Sequence, residues 1–147
     1  MNQSWEGYGV RVVREQPELP FPKPCISFPG DVRGLLQRQL AFQDREIFCI
    51  VVLDARNQVL GVNTVSIGSV SASIVHPREV FRVAILMGAS SIILSHCHPS
   101  GDPSPSKDDI ELTRHLHKAG EILGIEVLDH IIIADSRFLS LKEKGLF

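Results

Sequence analysis

The stretch Ser95–Asp109, SHCHPSGDPSPSKDD, sets two histidines one residue apart, then a loop rich in proline and glycine, then a helix start. At the end of a β-strand, the period of two sends the imidazoles of His96 and His98 to the same face, where one cation can take both. Cys97, between them, faces the other way. The loop can fold the chain back, which makes Asp109 the natural third ligand. Two histidines and one carboxylate leave a tetrahedral zinc ion with one position open to water, the pattern of a catalytic site rather than a structural one. Ser106-Lys107-Asp108-Asp109 also reads as a capping box, in which the serine hydroxyl and the later carboxylate satisfy free N–H groups at the helix start. The two readings are compatible, because Ser106 and Asp109 both lie at the helix terminus.

Working outward, this strand–loop–helix unit sits among others of its kind. Upstream, Ile92–Leu94 reads as a short buried strand leading to His96. Before it, Pro77 at a first helical position opens a helix that Val80, Ala84 and Met87 line and Gly88 ends. The apolar runs Ile47–Leu53 and Val59–Ile67, separated by Asp54-Ala55-Arg56-Asn57, form a hairpin of buried strands. Val32, Leu35, Leu36 and Leu40 predict an amphipathic helix over 31–41 with Asp31 as its N-cap. Downstream, residues 108–123 read as a helix with Ile110, Leu112, Leu116, Ala119 and Leu123 available for burial, stopped by Gly124. Residues 125–134 follow as an apolar strand and 138–141 as a short last one. Interleaved strands and helices call for an α/β fold, a mixed β-sheet flanked by helices.

At 147 residues the chain is one ordinary domain. Pro17, Pro20, Pro22, Pro24 and Pro29 forbid a helix through most of the first thirty residues, and predict an extended N-terminal arm over 1–25, with Val10, Val12 and Val13 as a short strand, before a domain over 26–147. No apolar run approaches the roughly 18 residues that cross a bilayer. The N-terminus lacks the basic start and apolar core of a signal peptide, and the three cysteines are scattered, so a reducing, cytoplasmic location is expected. Residues 1–45 carry six Lys/Arg against five Asp/Glu, and residues 46–147 carry nine against twelve. No basic patch or stripe is visible, so DNA binding by this chain alone is not expected.

The whole string, H-x-H, seven residues, then S-x-x-D, with Pro-Ser-Gly directly after the second histidine, resembles the signature of the MPN/JAMM metalloprotease family. HPSGDPSPS is similar to its RadC branch, a bacterial group named for DNA repair, and the resemblance runs from about Ile26 onward through ASIVHPREVF and LDHIII. It implies a three-layer fold like that of cytidine deaminases. It also implies one zinc ion per chain held by His96, His98 and Asp109, a water in the fourth position, and Ser106 bonded to that water or to the developing oxyanion. The family needs a glutamate on an earlier strand as general acid and base. Glu46, opening REIFCIVVLD, fits that place, and Glu79 in HPREVF is a second candidate, although an acid in a first helical turn is favoured by the dipole alone. Cys97 stands where the branch more often has asparagine; a thiolate is a good zinc ligand, but strand geometry turns it away. Longer RadC proteins carry an N-terminal helix-hairpin-helix module, for which this chain is expected to have no room.

The other histidines are poorer candidates. His115 and His117 repeat H-x-H on a helix, where two residues span about 200° and cannot readily share an ion. His76 precedes Pro77 in a loop, and His130, beside Asp129, is expected to be hydrogen-bonded rather than a ligand. Neither Cys25 nor Cys49 has a cysteine at ligand spacing, and Cys49 reads as core. Two functions compete: a zinc-dependent hydrolase of a peptide or isopeptide bond in a peptide or protein substrate, and a non-catalytic metal-containing module in a DNA-repair or mobile-element complex. The intact His96, His98, Ser106, Asp109 and Glu46 favour the hydrolase. A zinc nucleoside deaminase is excluded by the lack of H-x-E and P-C-x-x-C.

Overall fold

Strands that are apolar on both faces need cover on both faces, and that requirement sets the architecture. The computed structural model describes residues 22–147. Its elements are α1 (Pro29–Leu40), β1 (Ile47–Leu53), β2 (Val59–Ile67), α2 (Pro77–Leu86), β3 (Ser91–Cys97), α3 (Lys107–Leu123), β4 (Glu126–Ala134) and β5 (Arg137–Ser140). The strands form one mixed sheet in the order β2-β1-β3-β4-β5, parallel only between β3 and β4.

Alternation along β1 divides the core in two. Phe48, Ile50 and Val52 pack with Ile92 and Leu94 of β3 against Val80, Phe81 and Ala84 of α2 and Leu112 and Leu116 of α3. Cys49, Val51 and Leu53 pack with Ile93, Ile131 and Ile133 against Val32, Leu36 and Leu40 of α1. The result is three layers, α1 on one face and α2 with α3 on the other, as the α/β reading anticipated. His96 therefore points toward the α2/α3 layer, while Cys97 joins the α1 core.

Boundaries differ from the sequence reading at a few ends. Pro29 occupies the first turn of α1, so the helix starts two residues earlier than expected and Asp31 is not its N-cap. Asp31 instead stands third in the helix and accepts the N–H groups of Ser27 and Phe28 at 2.8 and 2.9 Å, and these bonds lower its pKa. β3 is longer than the apolar residues 92–94, because ladder partners on β1 and β4 carry it through His96 and Cys97. Leu123, expected at the core, is exposed in the last turn of α3. Of the expected arm, Pro24 accepts from the Val59 N–H at 2.8 Å and the Ile26 N–H donates to Asn57 at 2.9 Å, which ties this stretch to the start of β2. Val10, Val12, Val13, Pro17 and Pro20 lie outside the described residues.

Candidate metal centre

The site forms where β3 ends and α3 begins. His96 is the penultimate residue of β3 and fully buried; His98 follows the strand, held in line by its N–H donating to Ile133 at 2.9 Å. The turn after His98 needs glycine: Gly101 has φ +78°, and a Cβ there would stand 2.9 Å from Asp135 Oδ2. The Gly101 N–H donates to His98 at 3.2 Å, and Arg137 donates to the Gly101 carbonyl, so the loop is pinned to the β4–β5 turn.

At the start of α3 the capping box and the ligand reading hold together. The Ser106 hydroxyl accepts the Asp109 N–H at 3.0 Å, and Asp109 Oδ2 accepts the Ser106 N–H at 2.7 Å. That exchange fixes the carboxylate so that Oδ1 lies 3.2 Å from His96 Nε2 and Oδ2 lies 3.4 Å from His98 Nε2. The two Nε2 atoms are themselves 2.9 Å apart, and one ligand atom from each residue falls within 4.8 Å of the others. Asp109 is 3 % exposed and His98 13 %, so the cluster reaches solvent past His98.

These donors fit a divalent cation. The Asp102 carbonyl can only accept, so His98 Nδ1 carries the proton of their 2.8 Å bond, which leaves Nε2 as the atom a cation would take. Among the described residues no lysine or arginine pairs with Asp109. Two Nε2 atoms and a buried carboxylate thus converge on a space that no lysine or arginine enters among the described residues, and two imidazoles with one carboxylate form a donor set that zinc accepts.

The electrostatics follow from the same contacts. Burial alone would raise the Asp109 pKa, but the bonds to His96, His98 and the Ser106 N–H outweigh it and hold the carboxyl well below its usual range. His98 is raised by its bond to Asp109, against the opposing effect of burial. His130 is driven well down by burial, with neighbouring His96 adding to the effect.

Glu46, just before β1, is half-buried, and its Oε2 accepts the Val70 N–H at 2.8 Å, so it is not a freely solvated edge residue. The β1–β3 ladder reaches Phe48 opposite His96, and Glu46, two residues before Phe48, lies near enough to His98 for their charges to interact. Its charge contributes to the rise in the His98 pKa. Glu79 instead pairs with Arg82 at 2.8 Å on the surface of α2. Cys97 Sγ takes part in bonds to the Ile47 N–H and the Arg45 carbonyl, on the far side of the strand from His96. His115 and His76 are exposed, and the His117 ring meets Phe147.

His130 is hydrogen-bonded as expected, but its partner is the metal centre itself. It stands mid-strand in β4, with Nε2 2.8 Å from His96 Nδ1 and Nδ1 2.6 Å from Thr113 Oγ1. Phe48 backs the pair, stacked on His96 at 6.2 Å and edge-on to His130 at 5.7 Å. Thr113 drew no attention in the sequence. Its signal was its place one helical turn after Asp109, and that of His130 was a lone imidazole within an apolar strand.

A mixed sheet between helical layers, with H-x-H at a strand end and an aspartate in the next helix's first turn, defines a JAB-type (MPN) domain with a candidate metal centre. The chain belongs to the RadC-like JAB domain family, whose profile matches residues 26–146. It is 50 % identical over 127 residues to a UPF0758 protein of Desulfitobacterium hafniense, covering 86 % of this chain and 56 % of that one. A UPF0758 protein of Moorella thermoacetica is 58 % identical over 124 residues, 84 % of this chain and 54 % of its own length. A third, of Bacillus licheniformis, is 54 % identical over 120 residues, with 82 % and 54 % covered. The chain thus spans about half the length of these curated relatives.

Proposed function

We propose that this domain is a zinc-dependent hydrolase that cleaves a peptide or isopeptide bond in a bacterial cytoplasmic setting, with one ion held by His96, His98 and Asp109. The observation that carries the reading is the cluster of two Nε2 atoms and a carboxylate within 4.8 Å, reaching solvent past His98 with Glu46 alongside. When bound, zinc supplies Lewis acidity, polarising a carbonyl and bringing the pKa of a coordinated water toward neutrality.

The chain's own groups divide the rest of the work. Glu46 has one oxygen engaged by the Val70 N–H, which fixes the carboxylate and leaves Oε1 to take the proton from the attacking water. As the water oxygen bonds to the carbonyl carbon and the C–N bond breaks, Glu46 returns that proton to the leaving nitrogen. The Ser106 hydroxyl accepts from the Asp109 N–H, so its own proton is free to donate to the oxyanion. The N-terminus of α3 adds positive potential at the same point.

The test compares parent and Glu46→Gln, both zinc-loaded, on a peptide and isopeptide library read by mass spectrometry. The variant is expected to keep its zinc and lose 10²–10⁴-fold in rate, the usual range for a general acid–base. Equal rates would remove Glu46 from the mechanism. Zinc binding by a parent that cleaves nothing would favour the alternative, a non-catalytic interaction module.

A further inference from the structure

Behind His96 lie two buried polar side chains that the proposed hydrolysis does not use. His96, His130 and Thr113 are each fully buried, on β3, β4 and α3 respectively. We propose that Thr113 and His130 form a tautomer-setting relay that locks the proton of His96 on Nδ1 and so presents its Nε2 lone pair to the cation.

Counting protons gives the direction of each bond from the Asp109 carbonyl to His96. The relay ends at the Asp109 carbonyl, which has no proton to give, so the 2.6 Å contact there uses the single hydroxyl proton of Thr113. Thr113 Oγ1 must then accept in its 2.6 Å contact with His130, which puts a proton on His130 Nδ1. A second proton on His130 would place a charge at a fully buried ring with no carboxylate bonded to its side chain, a costly arrangement. His130 Nε2 is therefore the acceptor, and the 2.8 Å bond to His96 uses a proton on His96 Nδ1. His98 reaches the same tautomer through the Asp102 carbonyl at 2.8 Å. Both ligands thus turn Nε2 toward the cation position, one oriented by a loop carbonyl at the solvent edge and the other by a two-residue relay in the core. Because Asp109 supplies both a ligand carboxylate and the carbonyl that ends the relay, a single turn of α3 fixes the orientation of two ligands. Such outer partners fix a ligand's tautomer and raise its basicity.

Thr113→Val keeps the shape but removes the hydroxyl; Thr113→Ser keeps it. With valine, His130 has no acceptor at Nδ1, so it moves its proton to Nε2, donates to His96 Nδ1, and drives His96 toward the Nε2–H form that cannot bind metal. Zinc affinity measured against a competing chelator should fall 10–100-fold in Thr113→Val and stay within a few-fold of the parent in Thr113→Ser. Nitrogen-15 spectra of the histidine rings in the metal-free protein give a readout that does not depend on zinc or on turnover. They should show a proton on Nδ1 of both His96 and His130 in the parent and in Thr113→Ser, and its loss in Thr113→Val. A His96 without a proton on Nδ1 in the parent, or unchanged affinity and Nδ1 protonation in Thr113→Val, would overturn the relay. A parent that takes no zinc would sink the metal centre and the hydrolase while leaving the tautomers to be read directly.

Discussion

Acidification below pH 6.5 should destabilise the metal-free domain, and His130 should be the cause. The ring is fully buried and its folded-state pKa is driven well below the ordinary value by burial. An unfolded chain protonates the same imidazole near pH 6.5. Below that pH the unfolded state binds the extra proton, so stability is lost as pH falls, by up to about 1.4 kcal/mol per pH unit. Between pH 6.5 and 4.5 the loss reaches at most about 2.7 kcal/mol, a large share of the 5–15 kcal/mol that holds an ordinary domain together. For a domain of this size that is a drop in Tm of about 10 °C. His98 has the opposite sign. Its raised pKa stabilises the folded state fully below pH 6.5, and that contribution fades only as pH rises through the folded value, so it cannot offset the acid loss. Asp109, held low, gives up its contribution only below the ordinary carboxylate range. Urea unfolding with excess chelator at several pH values, on the parent and on His130→Gln, measures the slope. A parent whose stability is flat across this window, or a folded His130→Gln with an undiminished slope, would refute the argument.

Other outcomes follow from the same geometry. Purified protein should hold about one zinc per chain by elemental analysis, and His98→Ala should lose it, since only two protein ligands would remain; full occupancy in that variant would dismiss the site. Cys97 and Cys49 are buried, which raises both thiols, Cys49 to about 12, while Cys25 is exposed. A thiol reagent should therefore label one cysteine in the native protein and three after denaturation, and Cys97→Ser should retain zinc. Loss of zinc in Cys97→Ser would bring the thiol back into the ligand set.

Much of this protein was legible along the chain because its signals are local. Strand and helix periods, the turn chemistry around Gly101 and the S-x-x-D box act over a few residues, so the elements and the cluster of His96, His98 and Asp109 could be named from sequence. The same spacing in His115 and His117 falls on α3, where a helix turns the pair apart instead of aligning it as a strand end does. What sequence misjudged was also local but competitive: Pro29 displaced Asp31 from the cap, since proline is favoured in the first turn.

Tertiary structure decided the rest, where partners are far apart in the chain. The β1–β3 pairing, not the spacing of any motif, brought Glu46 near His98. Sheet closure between β3 and β4, with α3 laid across them, joined Thr113, His130 and His96 through bonds of 2.6 and 2.8 Å. No periodicity encodes such a meeting, because a histidine inside an apolar strand looks the same whether it faces a hydroxyl or a metal ligand. The sequence alone determined which side chains could hold a cation; packing determined which nitrogen of each ring faces it, because a buried proton must have an acceptor.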